Sequence, residues 1–215
     1  MNSKQALAKL TNGIHKFQSD VLPGRRPQFQ ALGNQQHPIA MFLTCADSRI
    51  VPNLLMQTEP GEIFIERTVG NIVPRYTDHV GGVTAGVEFA VLALHVPLII
   101  VCGHTDCGVM KALLHPENAS GMPALQSWMR HALAAREHLL RDNPGGSNQE
   151  KLRLLTEYNV RLQLENLKTH PAVESRLAAG DLALEGWVYD IAWGTIFTAD
   201  SETGVFKPLA AAPPG

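Results

Sequence analysis

Three short apolar runs, rich in β-branched and aromatic residues, constrain the fold most: "IAMFLT" (39–44), "EIFIERTV" (62–69) and "PLIIVCG" (97–103). Helix signals separate them. Pro52 suits the first turn of a helix in "VPNLLMQ", and "GVTAGVEFAVLALHV" has the composition of a buried helix. Strands that alternate with helices predict an α/β fold with a central, mostly parallel β-sheet flanked by helices.

The second half of the chain is predicted to be more helical. One amphipathic helix is expected over residues 122–141, and Ser147 with Glu150 offers a capping box for the next helix. The remaining elements are a short helix at 171–179 and a β-hairpin at 182–200 that turns near Trp193 and Gly194.

Residues 3–19 predict an amphipathic helix at the start of the chain. Its apolar positions have helical spacing, and Ser3 is a candidate N-cap. The apolar positions are Leu7, Leu10, Ile14 and Phe17. A helix with such a face must lie on its own core or on a partner subunit.

Composition excludes several classes of protein. Hydrophobic residues make up 45%, charged residues 18%, and the net charge of −2 gives no basic footprint for nucleic acid. The apolar stretch around residues 87–102 is interrupted by Glu88, His95 and Pro97, so we expect no membrane contact or span. Three cysteines without disulfide spacing favour a reducing compartment, and the start of the chain lacks a signal-peptide pattern. We therefore expect a cytoplasmic protein.

Metal-competent side chains follow two of the three apolar runs. Cys45 ends the first run, and His104 and Cys107 follow the third. Parallel strands bring their carboxyl ends to one edge of a sheet, so two thiolates and one imidazole are expected to converge there. Three protein ligands with one open position are typical of catalytic zinc, and thiolate with imidazole favours zinc over harder cations.

Other interpretations of these residues stay open at this point. A cysteine in an apolar run is usually packing, which applies to Cys102, although strand alternation puts it on the side of His104. The loop position of Cys107 makes it the better ligand. Two charged residues, Asp47 and Arg49, follow Cys45 at alternate positions. From the sequence they could form a simple surface ion pair.

Two motifs at this spacing, "CADSR" and "HTDCG", are similar to those of the β-class carbonic anhydrases. The similarity extends through "EPGEIFIERTVGNIVP", "GGVTAGVEFAVLAL" and "GWVYDI", over most of residues 30–192. The resemblance implies one Zn²⁺ per chain, bound by Cys45, His104 and Cys107. It also implies a homodimer or homotetramer in which the N-terminal helix packs on a neighbouring subunit, with the active site near the interface.

The activity implied by the resemblance is that of carbonate dehydratase, a lyase that reversibly hydrates carbon dioxide to bicarbonate and a proton. By the same resemblance, zinc-bound hydroxide would attack carbon dioxide, and an Asp47–Arg49 dyad would orient the hydroxide. Arg49 keeps Asp47 ionised because a nearby cation favours the charged carboxylate.

The resemblance further implies an apolar pocket for carbon dioxide with few polar contacts. Its expected substrate-binding residues are Gln36, Phe64, Val69, Phe89 and Gly108. The Gln36 amide and the Gly108 backbone N–H would contact substrate, and His37 or His79 would relay protons. We expect one domain over 1–215, made of a helical arm (1–35), a catalytic core (36–208) and a flexible tail (209–215).

Some members of the family close the site at low pH by moving the dyad Asp onto zinc, and they carry a bicarbonate pocket with a Trp. Phe42 stands at the Trp position here, although Arg67 and Tyr189 occupy two other pocket positions. We therefore expect an open site at neutral pH. Alternative functions are hydrolysis of carbonyl sulfide or carbon disulfide on the same fold, a non-catalytic zinc protein, and a nucleophilic cysteine enzyme based on Cys107.

Overall fold

The structure is a computed structural model that describes residues 1–76, 81–143, 145–200 and 202–209. Two compact units divide the chain, Met1–His37 and Pro38–Gly215. His79 and residues 210–215 of the predicted tail lie outside the described residues. None of the helices in the described part of the chain combines the length and apolar character needed to cross a lipid bilayer.

The first unit is helical. Helix α1 (Ser3–Lys16) passes through a π-helical turn into α2 (Leu22–Leu32). Its N-cap is Asn2, not the expected Ser3: the Asn2 side chain accepts from the Gln5 backbone at 3.0 Å, and the Gln5 side chain accepts from the Asn2 backbone at 2.9 Å. This reciprocal pair satisfies two of the free N–H groups at the helix start.

The second unit contains a six-stranded sheet in the order β2-β1-β3-β4-β5-β6. The strands are β1 (Ala40–Cys45), β2 (Ile63–Thr68), β3 (Leu98–His104), β4 (Ala183–Asp190), β5 (Thr195–Ala199) and β6 (Phe206–Pro208). The strands β2, β1, β3 and β4 are parallel to one another. Strand β5 pairs antiparallel with β4, and β6 pairs antiparallel with β5. The predicted mostly parallel sheet is confirmed; β6 was not predicted.

Helices cover the sheet, as expected from its apolar strands. They are α3 (Pro52–Met56), α4 (Gly82–Glu88), α5 (Gly108–Leu114), α6 (Pro123–Met129), α7 (Leu133–Asp142), α8 (Asn148–Leu167) and α9 (Pro171–Ala179). The single helix expected over 122–141 is wrong, because a 3₁₀ turn at Arg130–Ala132 separates α6 from α7. The Ser147–Glu150 capping box of α8 is present.

Helix α8 lies directly on β3 and β4. Two glycines allow this close contact: a Cβ on Gly103 would stand 2.9 Å from Val160, and one on Gly186 would stand 2.9 Å from Leu164. The helix predicted to be buried around residues 82–96 is only partly so. Phe89 and Leu92, in the π-helical turn after α4, are 49% and 50% exposed.

Candidate metal centre

Cys45, His104 and Cys107 meet at the carboxyl edge of the sheet. Cys45 ends β1, His104 ends the adjacent parallel strand β3, and Cys107 is the N-cap of α5. Their ligand atoms all lie within 4.8 Å of one another, and all three side chains are buried. Because β1 and β3 are parallel neighbours, residues from distant parts of the chain arrive at one point.

The His104 ring is oriented so that one nitrogen faces this cluster. Its Nδ1 donates to the Thr105 carbonyl at 2.9 Å, which fixes the tautomer and leaves the Nε2 lone pair free. Nε2 is buried and has no hydrogen-bond partner. A buried nitrogen without a partner is costly unless something binds it, and a metal ion between the two sulfurs would do so.

The two thiols interact with each other. The Cys107 thiol and the Gly70 N–H, which lies 3.3 Å from the sulfur, lower the pKa of Cys45, although burial by itself would raise it. The pKa of Cys107 is raised because its proton is shared with Cys45 and because it is buried. The pair thus favours ionisation of one thiol, and a bound dication would favour ionisation of both.

This donor set of two sulfurs and one imidazole nitrogen suits zinc, and three protein ligands leave one of the usual four positions to a non-protein ligand. Cys45, His104 and Cys107 thus form a site for one zinc ion in each chain. Cys102 is not part of it. Burial raises the pKa of the Cys102 thiol to about 12, and its Sγ donates to the Gly103 carbonyl at 3.3 Å, as packing would predict.

Asp47 and Arg49 form a two-pronged ion pair beside the cluster. Arg49 donates from Nε to Asp47 Oδ1 at 2.9 Å and from Nη2 to Oδ2 at 2.8 Å. This pairing holds the pKa of Asp47 well below its usual value. The carboxylate also lies near the ligand nitrogen, with Oδ2 3.9 Å from His104 Nε2.

The alternating spacing of Cys45, Asp47 and Arg49 does not arise from a continuing strand. Strand β1 stops at Cys45, and the next residues form a turn in which the Arg49 N–H donates to Asp47 Oδ1 at 2.9 Å. The Asp47–Arg49 dyad is therefore set by this turn and not by strand alternation.

Asp106 is a further contact of Arg49 that the sequence analysis did not single out. Arg49 donates from Nη1 to Asp106 Oδ2 and from Nη2 to its carbonyl, both at 3.2 Å. Lys111 forms an ion pair with the same carboxylate. Asp106 has a positive φ of 60°, which turns the chain sharply between the two ligands of "HTDC".

The comparisons with known proteins agree with this geometry. The family model described as carbonic anhydrase matches residues 40–196. A solved structure of the β-carbonic anhydrase CcaA superposes with a TM-score of 0.92 at 36% identity, covering 95% of this chain and 100% of that chain. The chain belongs to the β-class carbonic anhydrase family.

Two curated relatives of the β-carbonic anhydrase chain are similar over nearly their whole length. A carbonic anhydrase of Pseudomonas aeruginosa is 45% identical over 204 residues, covering 95% of this chain and 92% of the relative. Carbonic anhydrase 1 of Escherichia coli O157:H7 is 44% identical over 207 residues, covering 96% and 94%.

The residues that the β-carbonic anhydrase resemblance assigns to substrate are spread more widely. Val69 precedes Gly70 beside Cys45, and Gly108 follows Cys107 as the exposed first residue of α5. Phe64 pairs in register with Met41, which puts it about 13 Å along the strand from the Cys45 position. The rings of Phe64 and Phe89 are 6.0 Å apart.

Gln36 and His37 belong to the first unit, Met1–His37, and both are exposed. Their assigned contacts with substrate and protons stay predictions. Of the expected bicarbonate-pocket positions, Phe42 is fully buried edge-on to Trp187 at 6.2 Å, and Tyr189 pairs in register with His104.

Proposed function

We propose that this chain is a zinc-dependent carbonic anhydrase that reversibly hydrates carbon dioxide to bicarbonate and a proton. The observation that supports this is a buried Cys–His–Cys cluster whose free His104 Nε2 lies 3.9 Å from an ionised, Arg-clamped carboxylate. Zinc bound there supplies Lewis acidity that lowers the pKa of a coordinated water from 15.7 to about 7.

Asp47 has the role of orienting the attacking group. As a carboxylate it can only accept hydrogen bonds, so it would accept one from the attacking group and orient that group. Arg49 holds both Asp47 oxygens and is a positioning residue for that carboxylate. With Asp47 held by Arg49, the site would orient a nucleophile as well as bind a metal ion.

Both Asp47 oxygens are held by Arg49, which supports the open form of the site at neutral pH. In this form the carboxylate would stay with Arg49 and would not be a metal ligand, so solvent or substrate could occupy the remaining position of a bound metal. A crystal structure of the zinc-loaded protein at neutral pH tests this. An Asp47 oxygen about 2.0–2.2 Å from zinc would contradict it.

The substrate residues are Gln36, Phe64, Val69, Phe89 and Gly108. Support for Gly108 is the open space around it: apart from its chain neighbours and its own helix backbone, no atom lies within 4 Å of where a Cβ would stand. Val69 and Phe89 offer half-exposed apolar surface, which suits the nonpolar carbon dioxide.

The protein is further proposed to be a cytoplasmic homodimer or homotetramer that takes carbon dioxide and bicarbonate and contacts neither nucleic acid nor membranes. Three free thiols support a reducing compartment. Exposed apolar side chains such as Phe89 and Leu92 support self-association. Residues 36–208 form the catalytic core of one domain, with 1–35 as its arm and 209–215 as its tail.

Stopped-flow measurement of carbon dioxide hydration, with zinc quantified per chain, tests the proposed function. The native protein should hold one zinc and be active, and Cys45→Ala should lose both.

Asp47→Asn should keep zinc and lose turnover by roughly 10²-fold, because the amide can no longer act purely as an acceptor. Faster release of sulfide from carbonyl sulfide than hydration of carbon dioxide would contradict the proposed substrate.

A further inference from the structure

Arg67 contacts the segment that carries the metal ligand and the dyad. It projects from β2 opposite Thr44 and donates to three backbone carbonyls. Its Nη2 reaches the carbonyls of Cys45 at 2.9 Å and Asp47 at 2.7 Å, and its Nη1 reaches that of Ile50 at 3.0 Å. All three acceptors lie in residues 45–50, here named the Asp47 loop.

Within the described residues the Asp47 loop has other restraints as well, from Arg49 to Asp106 and from the Gly70 N–H to the Cys45 sulfur. After β1 ends, Ala46 donates to the Thr68 carbonyl at 2.9 Å and Ile50 donates to the Asp47 carbonyl at 3.1 Å. The Arg67 guanidinium is planar with fixed donor directions, so binding three carbonyls at once fixes their relative positions. A displacement of about 1 Å at a reacting group can cost a hundredfold in rate, so such a restraint bears on catalysis.

The same contacts limit what else Arg67 can bind. Its Nη2 has two hydrogens, and both are used by the Cys45 and Asp47 carbonyls. A guanidinium donates two parallel hydrogen bonds to a carboxylate either from Nε and Nη2 or from Nη1 and Nη2. Both arrangements use Nη2. An anion such as bicarbonate would therefore have to displace one of these carbonyl bonds before it could pair with Arg67 in that way.

We propose that Arg67 is a positioning residue that holds the Asp47 loop through three carbonyls and thereby sets the Asp47 carboxylate against the metal site. The role rests on the proposed function, because it acts on turnover only through Asp47. It differs from that of Arg49, which contacts the carboxylate itself. Arg67 instead binds backbone carbonyls of the Asp47 loop, including the carbonyl of Asp47 itself.

Arg67→Gln in the zinc-loaded protein tests this role. We expect kcat to fall roughly tenfold or more with zinc still at one per chain, and Arg67→Lys to recover part of the loss. In an Asp47→Asn background the added Arg67→Gln change should have less than about a twofold effect on kcat, because residues that act as a unit are not additive. Hydrogen exchange of the Asp47 loop amides should become faster in Arg67→Gln.

Arg176→Gln is a matched control. Arg176 also donates to three backbone carbonyls, those of Val91, Val96 and Asp181, away from the metal centre. We expect it to lower thermal stability without changing kcat.

Three results would overturn the role of Arg67. They are an unchanged kcat in Arg67→Gln, the same fold loss in both backgrounds, and an effect confined to the response to added bicarbonate. An inactive native protein would instead reject the proposed function. The exchange measurement would still report on the loop.

Discussion

At the scale of single residues, Arg49 determines both the charge and the orientation of Asp47. The pKa of Asp47 lies below its usual value of 3.8, mainly because of the Arg49 hydrogen bonds. The stabilisation from this pair is therefore present at pH values above 3.8 and is lost only as the pH falls below it. Across neutral and alkaline pH the carboxylate does not change its charge.

This has a testable consequence for Arg49→Gln. Asp47 should stay ionised near neutral pH without its partner, so the variant loses orientation and not charge. We expect kcat to fall by roughly tenfold or more at every pH between about 6 and 9, with the midpoint of the pH–kcat profile unchanged. Stopped-flow hydration over this range measures both quantities. A shifted midpoint with a native plateau would show that Arg49 acts on protonation instead.

At the scale of elements, α8 supports the metal site through three buried amides, here named the amide ladder: Asn159, Gln163 and Asn166. Gln163 accepts from the Val73 N–H at 2.8 Å and donates to Asn159 at 2.8 Å. Asn159 donates to the Gly70 carbonyl at 3.1 Å, and the Gly70 N–H donates to Cys45. One helix thus fixes the backbone that contacts a metal ligand.

Replacing Gln163 by leucine should destabilise the fold strongly. The change leaves the Val73 N–H and the Asn159 carbonyl oxygen buried without their partner, and each unsatisfied group costs about 1–3 kcal/mol. We expect a loss of about 3 kcal/mol in the free energy of unfolding, measured in urea on the zinc-loaded protein. Gln149→Leu, on the exposed first turn of the same helix, is the control and should change stability by less than about 0.5 kcal/mol. Equal losses in both variants would count against the ladder.

At the scale of the whole molecule, the features that follow from local pattern were predictable and those that depend on backbone contacts were not. The strands ending at Cys45 and His104 are short apolar runs, so their pairing and the meeting of the ligands follow from parallel topology. The Ser147 cap of α8 is equally local. The motif "HTDCG" contained Asp106, but nothing in its spacing indicates that its carboxylate reaches Arg49.

The features that the sequence did not predict leave no local pattern of residue types. Arg67 donates hydrogen bonds to backbone carbonyls of the Asp47 loop. Every residue has a carbonyl, so no residue type in the loop indicates these contacts. The break at Arg130–Ala132 interrupts an apolar period without any Gly or Pro, the residues that usually signal one. Strand β6 has only three residues and too little pattern to be recognised.

The assembly gives the last prediction. Phe89 and Leu92 are three residues apart in one π-helical turn, and each is about half exposed. Both side chains present apolar surface to solvent from this short turn, and a second subunit would cover such surface. Leu92→Glu would bury a charge in such a contact, which is costly without a partner.

We therefore expect the native protein to sediment as a dimer or tetramer at micromolar concentration, and Leu92→Glu to shift it toward smaller species. Leu92→Met keeps the apolar surface at similar volume and should sediment like the native protein. Sedimentation velocity at several concentrations separates these results, and zinc content shows whether each variant is folded. A native monomer, or a Leu92→Glu variant with the native mass, would mean that this face does not join subunits, because a buried glutamate at its centre could not leave association unchanged.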